Sequence, residues 1–148
     1  MTAQGRLFSN REKRFTWTAS RDTRIWSGWK VKPAVIKKST PAESVLTAEG
    51  ASITKKIRPR DYVIALDRSG TAYDSKGLAA RIERLSHSNS RLAFVIGGAL
   101  GLSKTLLDKA DEVLSLSRLT LTHEMSRLIL LEQIYRAFTI IHSEKYHK

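Results

Sequence analysis

Apolar and polar residues alternate along the second half of the chain in the manner of an α/β protein. Three short apolar runs, residues 62–66, 92–96 and 114–116, predict buried strands. Two segments of helical period separate these runs. The first predicted helix begins at Ser75 and buries Leu78, Ile82 and Leu85, and the second is capped by Ser103 and carries Leu106, Leu107, Ala110 and Val113. Strands that alternate with helices predict a parallel sheet, and hence an α/β fold.

The longest predicted helix begins at Thr122 and runs to about His142. Its centre, residues 128–131, is apolar around most of the circumference. Such a helix has to be covered on two sides, by its own sheet and by another copy of the chain. We therefore expect a homodimer.

The first half of the chain has a weaker pattern. Residues 1–30 hold all three tryptophans but no period of two or 3.6, so no element is predicted there. The apolar run at residues 34–36 predicts a short strand. Thr40 predicts a helix cap, with Pro41 at the first helical position and Glu43 closing a capping box. This helix is expected to run to about Ile57, before Pro59, and to bury Leu46, Ile53 and Ile57.

A length of 148 residues is usual for one domain, so we expect a single domain over residues 1–148 that is atypical over residues 1–30. The absence of cysteine excludes disulfides, thiolate metal sites and cysteine nucleophiles. No apolar stretch approaches the roughly 18 to 20 residues of a membrane span, and no signal-peptide pattern is expected. These features predict a soluble cytoplasmic protein with no membrane partner.

Lysine and arginine outnumber aspartate and glutamate by 26 to 14, which gives a net charge of +12. The excess is uneven, with 14 basic and 4 acidic residues before Asp61 against 12 and 10 from Asp61 onward. A basic surface attracts phosphates and releases their counterions, which favours nucleic acid as a partner. The alternative is a solvated basic face that serves solubility alone.

A glycine-rich turn, residues 97–101, follows the second predicted strand and precedes a helix. Backbone N–H groups of such turns can approach a ligand at the carboxyl ends of parallel strands, although a purely structural turn has the same sequence pattern. The turn is neither GxGxxG nor a phosphate-binding P-loop, which excludes ATP and GTP hydrolysis and disfavours a nicotinamide-dependent dehydrogenase. The four histidines lack a metal-binding spacing, so no metal is expected, and no GxSxG motif supports serine hydrolysis.

Four sequence words carry a resemblance to a known family: YVIALDRSG from Tyr62, FVIGGALGLS from Phe94, LSLSRLTLTHEMSRLILLEQIYRAF from Leu114 and EKYHK from Glu144. In order and spacing they resemble the ribosomal RNA large subunit methyltransferase H family (RlmH), SPOUT-class enzymes that use S-adenosylmethionine. The resemblance implies an α/β-knot domain with a C-terminal trefoil knot within residues 62–148, and a homodimer packed on the last helix. It also implies methyl transfer to N3 of a pseudouridine in the helix 69 loop of 23S ribosomal RNA, with the ribosome as partner.

Carried over by position, the family's cofactor site lies at the ends of the predicted strands. The residues implied to bind S-adenosylmethionine are Leu66, Gly97, Leu116, Ser117, Arg118, Leu119, Thr120 and Leu121. The residues implied to act in catalysis are Tyr146, His147, Arg127, Glu132, Arg136 and His123. Tyr146 and His147 are expected to grip or deprotonate the base. Arg127 or Arg136 is expected to contact a phosphate or the developing anion.

Several of these residues also have a plain structural interpretation. The leucines can belong to the core, His123 can cap the last helix, Glu132 can form an ion pair with Arg136, and the last residues can be a frayed tail. The sequence departs from the family near its start, where residues 1–5 are polar and do not form an apolar strand that leads to a Gly-Lys turn. A non-catalytic RNA-binding or ribosome-assembly factor on the same fold is therefore the alternative function.

Overall fold

The computed structural model describes residues 15–17, 26–28, 41–88, 91–98 and 100–146, which fall into two units, Met1–Pro33 and Ala34–Lys148. In the first unit, β1 (Phe15–Trp17) and β2 (Trp26–Gly28) form a two-stranded antiparallel sheet with Thr16 opposite Ser27. The sequence pattern missed this pair, because a period cannot show over so short a run. The predicted strand at residues 34–36 lies outside the described residues, and the single-domain organisation stays a prediction.

The second unit has an α/β architecture. Its elements are α1 (Ala42–Thr54), β3 (Asp61–Ala72), α2 (Ser75–Ser88), β4 (Arg91–Ile96), α3 (Lys104–Lys109), β5 (Glu112–Ser115) and α4 (His123–Ile141). The strands form a three-stranded parallel sheet in the order β4-β3-β5. Helix α2 packs against α4, and α1 contacts α3. The middle strand is buried from Val63 to Ala65, as a strand covered on both faces requires, and the predicted α/β fold with a parallel sheet is confirmed.

The starts of α3 and α4 agree with the sequence pattern. The Ser103 hydroxyl caps α3 by accepting a hydrogen bond from a backbone N–H at 3.3 Å, and Thr122 caps α4 in the same way at 3.2 Å. The prediction that α3 carries Ala110 and Val113 is wrong, because the helix ends at Lys109. Ala110 is extended, with ψ 143°, and Val113 lies in β5 beside Ala65. Over this short segment, strand pairing with β3 decides the structure, although the apolar residues have helical spacing.

The start of α1 differs from its prediction. Pro41 is the residue before the first helical position, and it has φ −57° and ψ 136° with no side-chain cap. The prediction that Pro41 is the first helical position is therefore wrong, and the predicted capping box depends on Thr40, which lies outside the described residues. Because a backbone with the extended ψ of Pro41 is not helical, the helix begins only at Ala42.

The buried face of α1 is also shifted from the one expected. Ile53 is buried as predicted, and Val45 joins it. Leu46 is only half-buried, and Ile57 lies beyond the end of the helix, where it is half-buried too. Val45 and Ile53 are eight positions apart, which places them on one side of a helix with 3.6 residues per turn.

An ion pair fixes the amino-terminal edge of the sheet. Asp61 and Arg91 are the first residues of β3 and β4 and lie opposite each other in the register. Arg91 Nε donates to Asp61 Oδ1 at 2.5 Å, its Nη2 donates to Oδ2, and Arg58 N donates to Oδ2 at 2.8 Å. Burial of the Asp61 side chain, which is 2% exposed, would by itself raise the pKa, but the bonds from Arg91 and Arg58 hold the pKa of Asp61 below its ordinary value.

Asp61→Asn is expected to lower the free energy of unfolding at pH 7 by about 1.5–3 kcal/mol, because hydrogen bonds to a buried charged group are lost. The folded-state pKa of Asp61 is lowered, so this stabilisation is present above the ordinary value of 3.8 and is lost as pH falls through the folded-state pKa. Urea unfolding at pH 7 and at successively lower pH measures the difference. Asp108→Asn, at an exposed carboxyl of α3, is the control. A deficit that does not shrink in acid would contradict this assignment.

Candidate functional site at the carboxyl edge of the sheet

The strand register gathers three separate parts of the sequence at one edge of the sheet. Leu66 of β3 lies opposite Ile96 of β4 on one side and Leu114 of β5 on the other. Gly97 follows Ile96 directly, and Leu116 comes two residues after Leu114. Because parallel strands run in the same direction, Leu66, Gly97 and Leu116 lie at the same edge of the sheet, although β3 itself continues to Ala72. The grouping expected from the sequence is therefore present in the backbone.

Strand β3 carries a bulge at this edge that the sequence pattern missed. Pairing with Leu114 of β5 is interrupted after Leu66 and resumes at Thr71, opposite the same residue. A Cβ on Gly70 would lie 2.6 Å from the carbonyl carbon and oxygen of Val113, so the close approach of the two strands requires glycine at this position. The predicted strand ended at residue 66, where the continuous apolar run stops.

A short turn closes the bulge. Asp67 Oδ1 accepts hydrogen bonds from Ser69 N at 2.9 Å and from Ser69 Oγ at 2.6 Å. These two bonds lower the pKa of Asp67. An Asp that bonds the backbone two residues on, followed by Gly70, is ordinary turn chemistry, and it was the signal available in the sequence.

The glycine turn after β4 folds back on itself. Gly101 N donates to Gly98 O at 3.1 Å, and Gly101 has φ +80°, a conformation that favours glycine. A Cβ on Gly97 would lie 2.4 Å from the carbonyl carbon of Gly101 and 2.5 Å from its oxygen. Gly97 is therefore needed by the turn itself, because the backbone of Gly101 occupies the space that a side chain would fill.

Two other elements contact the glycine turn. From α4, His123 Nδ1 lies 2.9 Å from Gly97 O. From α1, the carboxylate oxygens of Glu49 lie 3.0 and 3.3 Å from the position that a Cβ on Gly98 would take. The turn is thus held between the first residue of the last helix and a helix from earlier in the chain.

The loop between β5 and α4 supplies the rest of the edge. Ser115 Oγ donates to Ser117 O at 3.2 Å, and Leu119 N donates to Ser117 Oγ at 3.0 Å. Leu119 is 74% exposed, so the interpretation of this residue as core is wrong. Leu116 and Leu121 are half-buried, while Arg118 and Thr120 are exposed. Leu119 therefore presents an apolar side chain to the solvent at the carboxyl edge.

A cavity of about 130 Å³ opens beside the end of β5. Its lining residues are Tyr73, Leu78, Leu114, Ser115, Leu116, Ile129 and Gln133. Of the residues predicted to hold the cofactor, Leu116 lines this cavity, whereas Leu66 and Gly97 do not. Both groups lie at the carboxyl edge, but the cavity is on the side where α2 and α4 meet.

A polar cluster centred on Glu112 supports one wall of that cavity. Arg81 Nε donates to Glu112 Oε2 at 2.9 Å, and the Tyr73 hydroxyl donates to Oε1 at 3.0 Å. Tyr62 contributes a longer bond to Oε2 at 3.4 Å. Burial and the bond to Glu112 raise the pKa of Tyr73, so its hydroxyl stays protonated at neutral pH. No local sequence pattern indicates this cluster, because its members come from four separate segments.

The catalytic candidates on α4 form a second cluster. Arg136 bonds Glu132 Oε1 through Nε at 2.9 Å and through Nη2 at 2.5 Å. The Arg136 guanidinium also lies 5.0 Å from the ring centre of Tyr146, and Tyr135 meets that ring edge-on at 4.9 Å. The hydrogen bonds that Arg136 donates to Glu132 raise the pKa of Arg136. The structure therefore brings Glu132, Arg136 and Tyr146 together, and it adds Tyr135, which the sequence analysis did not single out.

The remaining catalytic candidates lie elsewhere. His123 is at the opposite end of α4 from Arg136, and its contact is with the glycine turn, so it does not act simply as a helix cap. Arg127 is half-buried on the same helix. His147 lies outside the described residues, and its predicted role stays a prediction. The expected ion pair between Glu132 and Arg136 is present.

Comparison with known proteins identifies the class to which this fold and edge belong. Residues 7–147 match the family described as "Predicted SPOUT methyltransferase", and the chain belongs to that family. The predicted family is thereby confirmed.

Individual relatives share one printed name, "Ribosomal RNA large subunit methyltransferase H". The chain is 50% identical to the protein of that name from Halothermothrix orenii over 107 residues, 72% of this chain and 67% of the relative. It is 51% identical to the one from Carboxydothermus hydrogenoformans over 108 residues, 72% of this chain and 68% of the relative. For the one from Anaeromyxobacter the identity is 47% over 100 residues, 68% of this chain and 65% of the relative. The similarity thus spans about two thirds of each relative's length.

Among the described residues, no group of three or more His, Cys, Asp or Glu side chains is arranged to hold a metal ion. No helix in this part of the chain is long and apolar enough to cross a membrane.

Gly97→Ala is expected to lower the free energy of unfolding by about 1–3 kcal/mol, because the new Cβ collides with backbone atoms of Gly101 that cannot rotate away. Gly98→Ala is the matched control, since its Cβ meets only the carboxylate of Glu49, a side chain that can move aside. Denaturant unfolding of the two variants measures both costs. If Gly98→Ala proved as costly as Gly97→Ala, the turn would not have the geometry described.

Proposed function

We propose that the protein is an S-adenosylmethionine-dependent ribosomal RNA methyltransferase that acts on N3 of a pseudouridine in the helix 69 loop of 23S ribosomal RNA. Membership of the SPOUT methyltransferase family supports methyl transfer, and the printed names of the relatives support ribosomal RNA as substrate. The observation that carries the proposal is the meeting of Leu66, Gly97 and the loop 116–121 at one edge of the sheet. The nucleobase and the atom that is methylated rest on the family resemblance.

The residues at this edge fit S-adenosylmethionine. Its adenine and ribose need backbone donors and acceptors beside apolar surface, and the ends of β3, β4 and β5 offer both. Leu119 is exposed and Leu116 is half-buried, so apolar side chains are accessible there. S-adenosylmethionine would be held by Leu66, by Gly97 and by the loop that follows β5, which comprises Leu116, Ser117, Arg118, Leu119, Thr120 and Leu121. When bound, it supplies a methyl group activated by a positively charged sulfur.

The chain's own contribution to the reaction is position and charge. N3 of pseudouridine carries an imide proton, which has to leave before or during methylation. The Arg136 guanidinium is charged at neutral pH, as arginine always is, and its ion pair with Glu132 raises its pKa further, so it can stabilise the negative charge that develops on the imide. Tyr146 is 47% exposed and lies beside Arg136, so part of its ring is available for a flat base to stack on. His147 is the proposed acceptor of the proton, and Arg127 a second contact for phosphate.

Glu132 is a weaker candidate for the base. Its Oε1 receives both bonds from Arg136, and Gln133 Nε2 donates to its Oε2. A carboxylate with its oxygens occupied in this way would have to give up an ion pair in order to accept a proton. We therefore assign Glu132 to holding Arg136 in place.

The basic surface and a second copy complete the proposal. The net charge of +12 suits an RNA partner, whose phosphates attract lysine and arginine. Met125, Leu128 and Tyr135 are exposed on α4, and Leu128 is 70% exposed. At 3.6 residues per turn these three positions share one face of the helix, called here the exposed face of α4. A second copy of the chain on this face would form a homodimer beside Glu132 and Arg136, which lie on the same side.

The test is a methyl-transfer assay on ribosomes that lack the modification. The protein, S-adenosylmethionine labelled in its methyl group and those ribosomes are incubated together, and 23S RNA fragments are mapped by mass. We expect one added methyl group on N3 of a helix 69 pseudouridine, and parallel reactions with free RNA ask whether the assembled ribosome is needed. RNA binding without cofactor binding or transfer would instead support the non-catalytic assembly factor. Label elsewhere in the RNA would overturn the proposed target.

A chain that ends at Lys145 is the matched variant for the assay. It lacks Tyr146, His147 and Lys148 but retains the carboxyl edge of the sheet. We expect calorimetry to show unchanged S-adenosylmethionine binding, while turnover falls by about 100-fold or more, the usual effect of losing acid–base catalysis. A fully active truncated chain would remove these residues from the catalytic machinery.

Leu128→Glu is expected to shift the protein from dimer to monomer, because a charge at the centre of the exposed face of α4 cannot be buried against a second copy. Sedimentation equilibrium over a range of concentrations measures the assembly. Ala80→Glu, at an exposed position of α2, adds the same charge away from this face and serves as the control. A wild-type protein that stays monomeric at all concentrations would rule out the proposed dimer.

A further inference from the structure

A hydrogen bond of the His123 side chain joins α4 to the glycine turn. Its Nδ1 lies 2.9 Å from Gly97 O, across 26 positions of sequence. A carbonyl oxygen can only accept a hydrogen bond, so Nδ1 must carry the proton and donate it. The ring is half-buried at this contact. The orientation of the imidazole is therefore fixed by the turn.

Both ends of this bond are themselves held firmly. His123 is the first residue of α4, and Thr122 before it caps the helix, with its hydroxyl bonded to Met125 N and its carbonyl oxygen to Ser126 N. At the other end, Gly97 follows β4 directly and is packed against Gly101. Because both ends of the hydrogen bond are held by other contacts, the bond fixes the distance between the glycine turn and the start of α4.

We propose that His123 is a positioning residue, which holds the glycine turn at the distance from α4 that cofactor binding requires. The proposal rests on the proposed binding of S-adenosylmethionine at this edge. Helix α4 carries Glu132 and Arg136 further along, and the glycine turn forms one side of the cofactor edge. His123 thus joins the part of the site that holds the cofactor to the helix that faces the substrate.

The same geometry leaves a competing role that an experiment can separate. A neutral imidazole with its proton on Nδ1 has a lone pair on Nε2, so His123 could also serve as a base. Asparagine places its amide nitrogen close to the Nδ1 position and so keeps the donor, but it has no group where Nε2 lies. Leucine has a similar size and keeps neither. The pair His123→Asn and His123→Leu therefore distinguishes positioning from proton transfer.

The experiment measures S-adenosylmethionine affinity by calorimetry, and KM and kcat by methyl transfer, for wild type and both variants. We expect His123→Leu to weaken cofactor binding and raise the cofactor KM about three- to tenfold, the factor that one neutral hydrogen bond brings. His123→Asn should restore both values to near those of wild type, with little change in kcat. A large loss of kcat in both variants, with cofactor affinity unchanged, would overturn the proposal in favour of a base.

A second measurement needs no cofactor and so separates this inference from the proposed function. Hydrogen exchange of the Gly101 amide, which bonds Gly98 O within the turn, reports on how firmly the turn is held. Exchange should be faster in His123→Leu and unchanged in His123→Asn. Equal exchange in all three proteins would show that the bond does not hold the turn. If the leucine variant does not fold, His123→Gln, which is polar but carries its amide one methylene farther out, takes its place with the same expected outcome.

Discussion

The register of β3 between its two neighbours is the constraint on which the rest of the structure depends. The segments proposed to bind the cofactor meet only because Leu66 lies level with Ile96 and with Leu114. A slip of one residue would turn every side chain of the strand to the other face and move the edge. Polar anchors at the far edge prevent this slip. Asp61 pairs with Arg91 there, and Asp111 Oδ2 accepts from Val63 N at 2.7 Å in advance of β5. Charged residues at the amino-terminal edge of the sheet thus help to set the geometry of the proposed site at the opposite edge.

The sequence was sufficient for elements whose pattern is local. The apolar runs gave the three strands of the parallel sheet, and Ser103 and Thr122 marked the starts of α3 and α4. The end of α3 could not be predicted in this way, because Val113 suits a helix and a strand equally and only pairing with Ala65 decides between them. The bulge after Leu66 depends likewise on a partner strand that the local pattern does not reveal.

For the candidate site, the family resemblance indicated which residues take part, and the structure shows which of them lie close together. Gly97 was expected to leave room for a ligand, yet the nearest atoms to its missing side chain belong to Gly101. The glycine is thus explained by the turn alone, and the assignment to the cofactor depends on the family and on the strand ends. Tyr135 was missed because its partner Tyr146 comes from beyond the helix, so no spacing within α4 could indicate the contact. The knot and the homodimer stay predictions.

The position of the Glu132–Arg136 pair would connect the proposed catalysis to the proposed dimer. In the single chain both side chains are about one quarter to one third exposed, and an ion pair in that setting is screened by water and contributes little. A second copy on the exposed face of α4 would remove much of that water. The attraction within the pair would then strengthen, and so would the interaction of Arg136 with a negative charge on the substrate. A guanidinium that is already aligned by Glu132 and Tyr146 needs little reorganisation when that charge appears. In a single chain the pair would therefore only orient its own side chains, and in a dimer it would also take part in catalysis. This would account for a charged pair on the same side of α4 as its exposed apolar residues.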